Sequence, residues 1–197
     1  PFSGVLSLGG LARLFIQKFS SRDADHNRSS CPCHGAILDP VSIAGHGAHM
    51  TDFMEIALSE AREAMSRGEV PVGAIIVDSR SGQILAQDGN RTEDLNDPTA
   101  HAEMLVIREA CAAQGSPRLE QCDLYVTLEP CAMCATAISN ARLRRVYFAA
   151  YDPKGGGVDH GPQIFRQPTC HHAPEVYGGM AEEEASTILK DFFKARR

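Results

Sequence analysis

The pattern of apolar and polar positions changes character at residue 50. From Thr51, a good helix-capping residue, apolar side chains recur at Phe53, Ile56, Ala57, Ala61, Ala64 and Met65, which predicts a helix over 51–67 stopped by Gly68. Two apolar runs follow, 71–78 and 83–87, and the Ser-Arg-Ser-Gly turn between them predicts a hairpin. Asp97-Pro98 opens a predicted helix reaching about Ala113, Asp123–Leu128 reads as a strand, Pro130 opens another helix, and Arg145–Ala150 reads as a strand. In both helices the proline falls where the first helical residue is expected. Beyond Asp152 the chain is rich in Gly and Pro through His172. A short edge strand is predicted at 175–177, then a helix from Ala181 whose stripe of Ala185, Ile188, Leu189, Phe192 and Phe193 predicts core packing. Alternating strands and helices make this an α/β fold, a sheet covered by helices.

Residues 1–49 keep no period of 2 or 3.6 and are polar from Asp23 to His34. The expected organisation is an N-terminal arm over 1–49, disordered and either upstream, cloning-derived or targeting sequence, ahead of a folded domain over 50–197. Met50 reads as the natural start, while the acid-free first 22 residues also fit an organelle transit peptide. The apolar stretch from Val5 to Ala12 is interrupted by Arg13 and Lys18, so no membrane span is expected. Cys31, Cys33 and His34 do not have the usual spacing of a structural zinc site.

At 197 residues and 43% hydrophobic, the chain suits one domain with a real core. Its formal charge of −6 provides no overall basic field, so any contact with nucleic acid must come from a local patch. Lys154, Arg166, Lys194, Arg196 and Arg197 are the best local cluster, with an ordinary solvated surface as the alternative. Seven cysteines are an odd number, and with a Cys-x-x-Cys pair and no convincing secretory signal they point to a reduced, cytoplasmic setting.

The chemistry concentrates in His101-Ala102-Glu103 and Pro130-Cys131-Ala132-Met133-Cys134, each at the start of a predicted helix. Cys131 and Cys134 are i and i+3, so both sulfurs share a helix face and can take adjacent corners of a tetrahedron, with His101 as the third. Three protein ligands leave one position for water, the arrangement of a catalytic rather than a structural zinc. Two thiolates formally cancel the zinc charge, and two helix N-termini partly compensate by favouring negative charge nearby. Glu103 is then the group that takes a proton from zinc-bound water, passes it to a ring nitrogen and protonates the leaving amine. Taken singly, His101 and Glu103 read equally well as ordinary first-turn residues, and it is their combination with the cysteine pair that carries the assignment. Cys111 and Cys122 read as buried thiols, and Cys170-His171-His172 as a loop without a further ligand nearby.

His-x-Glu with Pro-Cys-x-x-Cys is the signature of zinc-dependent nucleobase deaminases. More closely, Glu69-Val70-Pro71-Val72-Gly73-Ala74, Asn90-Arg91, Asp97 through Glu103, and Thr127 through Cys134 resemble the tRNA-specific adenosine deaminase family across about residues 50–197. The resemblance implies a cytidine-deaminase-like fold, a three-layer α/β/α sandwich around a mixed five-stranded sheet, with one zinc per subunit in a homodimer. It implies conversion of the wobble adenosine of a tRNA anticodon stem-loop to inosine, water replacing the C6 amine. It also implies that Asn90 hydrogen-bonds the flipped base, that the Ala102 and Cys131 backbone amides serve the substrate and the developing oxyanion, that Val70 and Leu128 wall the base pocket, and that Asp152 lies near the nucleic-acid backbone. Asp152 through Gly157 resembles the family's Lys/Gly loop. Two alternatives stay open: a deaminase of a free base or nucleoside such as guanine, cytosine or cytidine, and a non-catalytic zinc-stabilised RNA-binding subunit, from which Glu103 would be expected to be absent.

Overall fold

The computed structural model describes residues 50–196 of the 197-residue chain. Residues 1–49, expected to form an N-terminal arm and carrying Cys31, Cys33 and His34, and the terminal Arg197 lie outside the described residues. Helix α1 (Met50–Ser66) leads into strands β1 (Gly73–Asp78) and β2 (Ile84–Gly89), then helix α2 (Ala102–Gln114), strand β3 (Cys122–Leu128), helix α3 (Ala132–Ala141) and strand β4 (Arg145–Ala150). A 3₁₀ turn (Ile164–Arg166), strand β5 (Glu175–Gly178) and helix α4 (Glu182–Lys194) complete the order.

The five strands form one mixed sheet in the order β2-β1-β3-β4-β5, antiparallel from β2 to β3 and parallel from β3 to β5. The central strands read Gly-Ala-Ile-Ile-Val-Asp and Cys-Asp-Leu-Tyr-Val-Thr-Leu, nearly continuous apolar runs, because both faces of the sheet are covered. One face packs Ile76, Leu124, Val126 and Phe148 under α2 and α3, through Val106, Ala110, Ala135 and Ile138. The other packs Ile75, Tyr125, Tyr147 and Ala149 under α1 and α4, through Met54, Ala57, Leu58 and Ala185. The architecture is therefore the three-layer α/β/α sandwich. Parallel pairing in register sets Tyr125, Tyr147 and Tyr177 side by side, with ring centroids 4.6 and 5.0 Å apart across β3, β4 and β5.

Helix α1 lies hard against the sheet at Gly73, where a Cβ would strike the Ala57 carbonyl oxygen and the Ala61 amide nitrogen. Its buried stripe is Phe53, Met54, Ala57, Leu58, Ala61 and Ala64; Met65, one residue beyond the stripe, is 41% exposed. In α4, Phe193 likewise turns outward at 49% exposure, while Phe192 is buried beneath the Arg196 guanidinium. Among the described residues no helix is long and apolar enough to cross a membrane.

The helix starts differ from the sequence reading. α2 begins at Ala102, not at Pro98, because Asp97 closes a tight turn first: its Oδ1 accepts from the Thr99 amide and hydroxyl at 2.8 and 2.7 Å, and its carbonyl accepts from the Ala100 amide. α3 likewise begins at Ala132, two residues after Pro130. Neither proline occupies the first helical position.

Candidate metal and proton-transfer site

The later helix starts bring the site into focus. His101 and Cys131 are the N-cap residues of α2 and α3, both in extended backbone, and neither side chain caps its own helix. Their ligand atoms are thus available to face one another, while the N-terminal ends of two helices, favourable to negative charge, converge on the same place. His101 Nδ1 lies 3.5 Å from Cys134 Sγ and 3.8 Å from Cys131 Sγ. A zinc ion bound tetrahedrally by sulfur at about 2.3 Å and by imidazole nitrogen at about 2.0–2.1 Å sets those atoms about 3.6 Å apart. The donor set therefore fits zinc. Among the described residues it is the one group of three or more such side chains close enough to share an ion.

The protons of this cluster are distributed unequally. A hydrogen bond from the Cys134 thiol, with the neighbouring His101, lowers the Cys131 pKa to about 4, and the same bond together with burial pushes Cys134 up. The Cys131 thiolate in turn raises His101 above the usual imidazole value. Glu103, the second residue of α2, is buried, and its carboxyl lies beside Cys134; burial raises its pKa. Asn90, also buried, accepts the Ala102 amide on Oδ1 at 2.8 Å. The side chain at 90 and the amide at 102, both expected at the base, are thus bonded to each other, with the Asn90 nitrogen left as the donor end.

A family model described as "Cytidine and deoxycytidylate deaminase zinc-binding region" matches residues 48–150. A tRNA-specific adenosine deaminase from Agrobacterium fabrum is 59% identical over 150 residues, covering 76% of this chain and 97% of that protein. The chain belongs to the tRNA-specific adenosine deaminase family.

A solved structure from work on A-to-I editing by tRNA:A34 deaminases at the wobble position is similar at 61% identity with a TM-score of 0.69, covering 71% of this chain and 99% of that one. A guanine deaminase from Bacillus subtilis is more distant, 32% identical with a TM-score of 0.52, covering 76% and 94%. The expected cytidine-deaminase-like fold is the one observed.

Around the tRNA-specific adenosine deaminase centre, Val70 and Leu128 are half-buried against the core. Asp152 follows β4 and caps its own turn, its Oδ1 accepting the Lys154 and Gly155 amides at 3.0 Å each. Lys154, Arg166 and Lys194 are exposed. Arg196 is already engaged, donating to the Gly68 carbonyl at 2.7 Å and lying 3.7 Å over the Phe192 ring.

Two buried carboxylates were passed over in the sequence reading. Glu69 accepts the Glu93 and Asp94 amides at 3.0 and 2.8 Å and the Thr92 hydroxyl at 3.1 Å, fixing the loop that follows Asn90. Glu129 does the same for the loop after β4; burial acts to raise its pKa, but hydrogen bonds from His160 and from the Asp152 and Asp159 amides hold it below the usual carboxylate value. The only signal was an acidic residue one or two positions before a proline, which a solvated turn produces equally well.

Proposed function

We propose that this protein deaminates adenosine hydrolytically to inosine at the wobble position of tRNA, with Glu103 as the proton carrier. The observation that carries this reading is a buried glutamate against a His-Cys-Cys donor set spaced for zinc, in a chain 59% identical to a tRNA-specific adenosine deaminase. His101, Cys131 and Cys134 would hold one zinc ion per subunit, and a bound zinc supplies the Lewis acidity that lets water lose a proton near neutral pH.

Glu103 takes a proton from the attacking water and delivers it to a ring nitrogen of adenine, then takes that water's second proton from the new C6 hydroxyl and passes it to the C6 amine, which leaves as ammonia; adenosine and water become inosine and ammonia. Burial suits Glu103 to this work, because a carboxyl that resists ionisation can both accept and return a proton. The Asn90 amide nitrogen donates to the flipped base, and Val70 and Leu128 wall its pocket. The backbone amides of Cys131 and Ala102 serve the developing oxyanion and the substrate, the latter on exchanging its bond to Asn90. Asp152 lies near the nucleic-acid backbone, and Lys154, Arg166, Lys194 and Arg197 contact phosphates, whereas Arg196 is held by the Gly68 carbonyl and the Phe192 ring. Family membership supports a deaminase domain over 50–197, working in the cytoplasm as a homodimer.

The test is incubation of zinc-loaded protein with an anticodon stem-loop bearing adenosine at the wobble position, followed by nuclease digestion and mass spectrometry, with free guanine and cytidine in parallel. Inosine at that position alone is expected. Deamination of guanine or cytidine alone would replace the substrate, and no conversion of any would leave an RNA-binding subunit.

A further inference from the structure

The loop after β4 is folded around a single buried carboxylate. Glu129 follows directly on β3 and is 2% exposed. Its Oε1 accepts the backbone N–H groups of Val158, Asp159 and His160 at 3.2, 2.9 and 2.9 Å. Its Oε2 accepts the Asp152 N–H at 3.1 Å and meets His160 Nδ1 at 2.7 Å. Consecutive amides converging on one point form the concavity with which a backbone binds anions. Here the anion is the protein's own side chain.

The same loop is pressed onto the start of α3. The Gly157 amide donates to the Pro130 carbonyl at 2.8 Å, and Gly156 bridges to Cys131. A Cβ at Gly156 would strike the Glu129 carboxylate, and one at Gly157 would lie 2.6 Å from the Ala132 nitrogen, so the glycines are required by close approach. Glu129 therefore sets the spacing between the helix that Cys131 caps and the segment that carries Asp152 and Lys154.

We propose that Glu129 is a positioning residue for RNA: it holds segment 152–160 against the start of α3 so that the polynucleotide docks beside the reacting base. This rests on the deaminase reading above and names the device that sets its substrate surface. Ionised, the side chain is acceptor-only and can serve all five loop donors. Glutamine keeps one acceptor oxygen and turns the other position into a donor, so two or three loop donors face an NH2 group instead. That exchange alters neither the metal donors nor Glu103.

The experiment compares Glu129→Gln with the parent, both as full chains loaded with zinc, by zinc content, amide hydrogen exchange and steady-state kinetics on the wobble-adenosine stem-loop. Parental zinc content is expected, with faster exchange confined to 152–160, KM raised about ten-fold or more and kcat within about three-fold, the signature of lost binding rather than lost chemistry. If Glu129→Gln does not fold, Gly156→Ala, which presses a Cβ on the same carboxylate, is expected to give the same KM shift. An unchanged KM with the loop opened overturns the proposal, as does a fall in kcat that tracks loss of zinc. A parent inactive on the stem-loop defeats the functional reading itself and with it the need to position that substrate, whereas an active parent with an indifferent variant defeats the proposal alone.

Discussion

Glu103 shows how burial changes the meaning of a residue. In the first turn of an exposed helix a glutamate is an ordinary favourable charge; beneath two helix starts and beside Cys134 it becomes a carboxyl that ionises reluctantly. Glu103→Ala is expected to keep its fold and zinc while turnover falls about 10²- to 10⁴-fold, the usual contribution of a positioned acid-base group. Activity near the parental level would remove it from the proton path. Cys134→Ala is expected to lose the metal by elemental analysis, since it removes the most buried of the three donors. Glu60 carries the opposite lesson. Burial and the nearby Glu63 and Asp88 carboxylates raise its pKa, and a 2.8 Å hydrogen bond from Gln87 offsets this only in part. A carboxyl raised in this way contributes stability that is fully present below its unfolded pKa of about 4.3 and is lost as pH rises through the folded value. Glu60→Gln keeps the acceptor and removes the charge. Its urea midpoint at pH 7 is expected to exceed the parent's, with the gain vanishing by about pH 4.

At the scale of elements, what could be read from the sequence followed how strongly each segment depends on its own pattern. Strands β1, β3 and β4 were legible because buried central strands need apolar runs, and the Ser-Arg-Ser-Gly turn made β1 and β2 a hairpin. The helix starts were misread because proline favours both the first helical position and an extended turn before it; the Asp97 side chain, bonding Thr99, decided for the turn. Even so, the sequence brought His101, Cys131 and Cys134 together as one group of donor side chains, as the fold does, since an i, i+3 pair shares a face whether it begins at the cap or one residue later. Glu69 and Glu129 were not, because their partners are backbone amides of loops 23 to 31 residues away, which leave no pattern in the sequence. Gly73 gives a test of the layer contact. Gly73→Ala drives a methyl group into the α1 backbone at Ala57 and Ala61 and is expected to destabilise the protein by about 1–3 kcal/mol, the usual cost of overpacking, read as a lower urea midpoint with an unchanged slope.

For the whole molecule the question is how a chain of net charge −6 holds a polyanion. Attraction cannot come from the mean field, which repels RNA, so it must come from a few cations at the right place. Lys154, Arg166 and Lys194 are exposed, whereas Arg196 is tied to Gly68 and Phe192 across α1 and α4. Three or four phosphate contacts to single-stranded RNA correspond to a logarithmic salt slope of about −2 to −3, far shallower than for a protein with a broad basic face. Binding of the stem-loop is therefore expected to weaken only about 15- to 60-fold between 50 and 200 mM salt, as measured by fluorescence anisotropy. Lys154→Ala is expected to make the slope shallower by about 0.7. A slope that stays the same in this variant would remove Lys154 from the RNA surface, and a parental slope steeper than about −5 would require a basic surface beyond these residues.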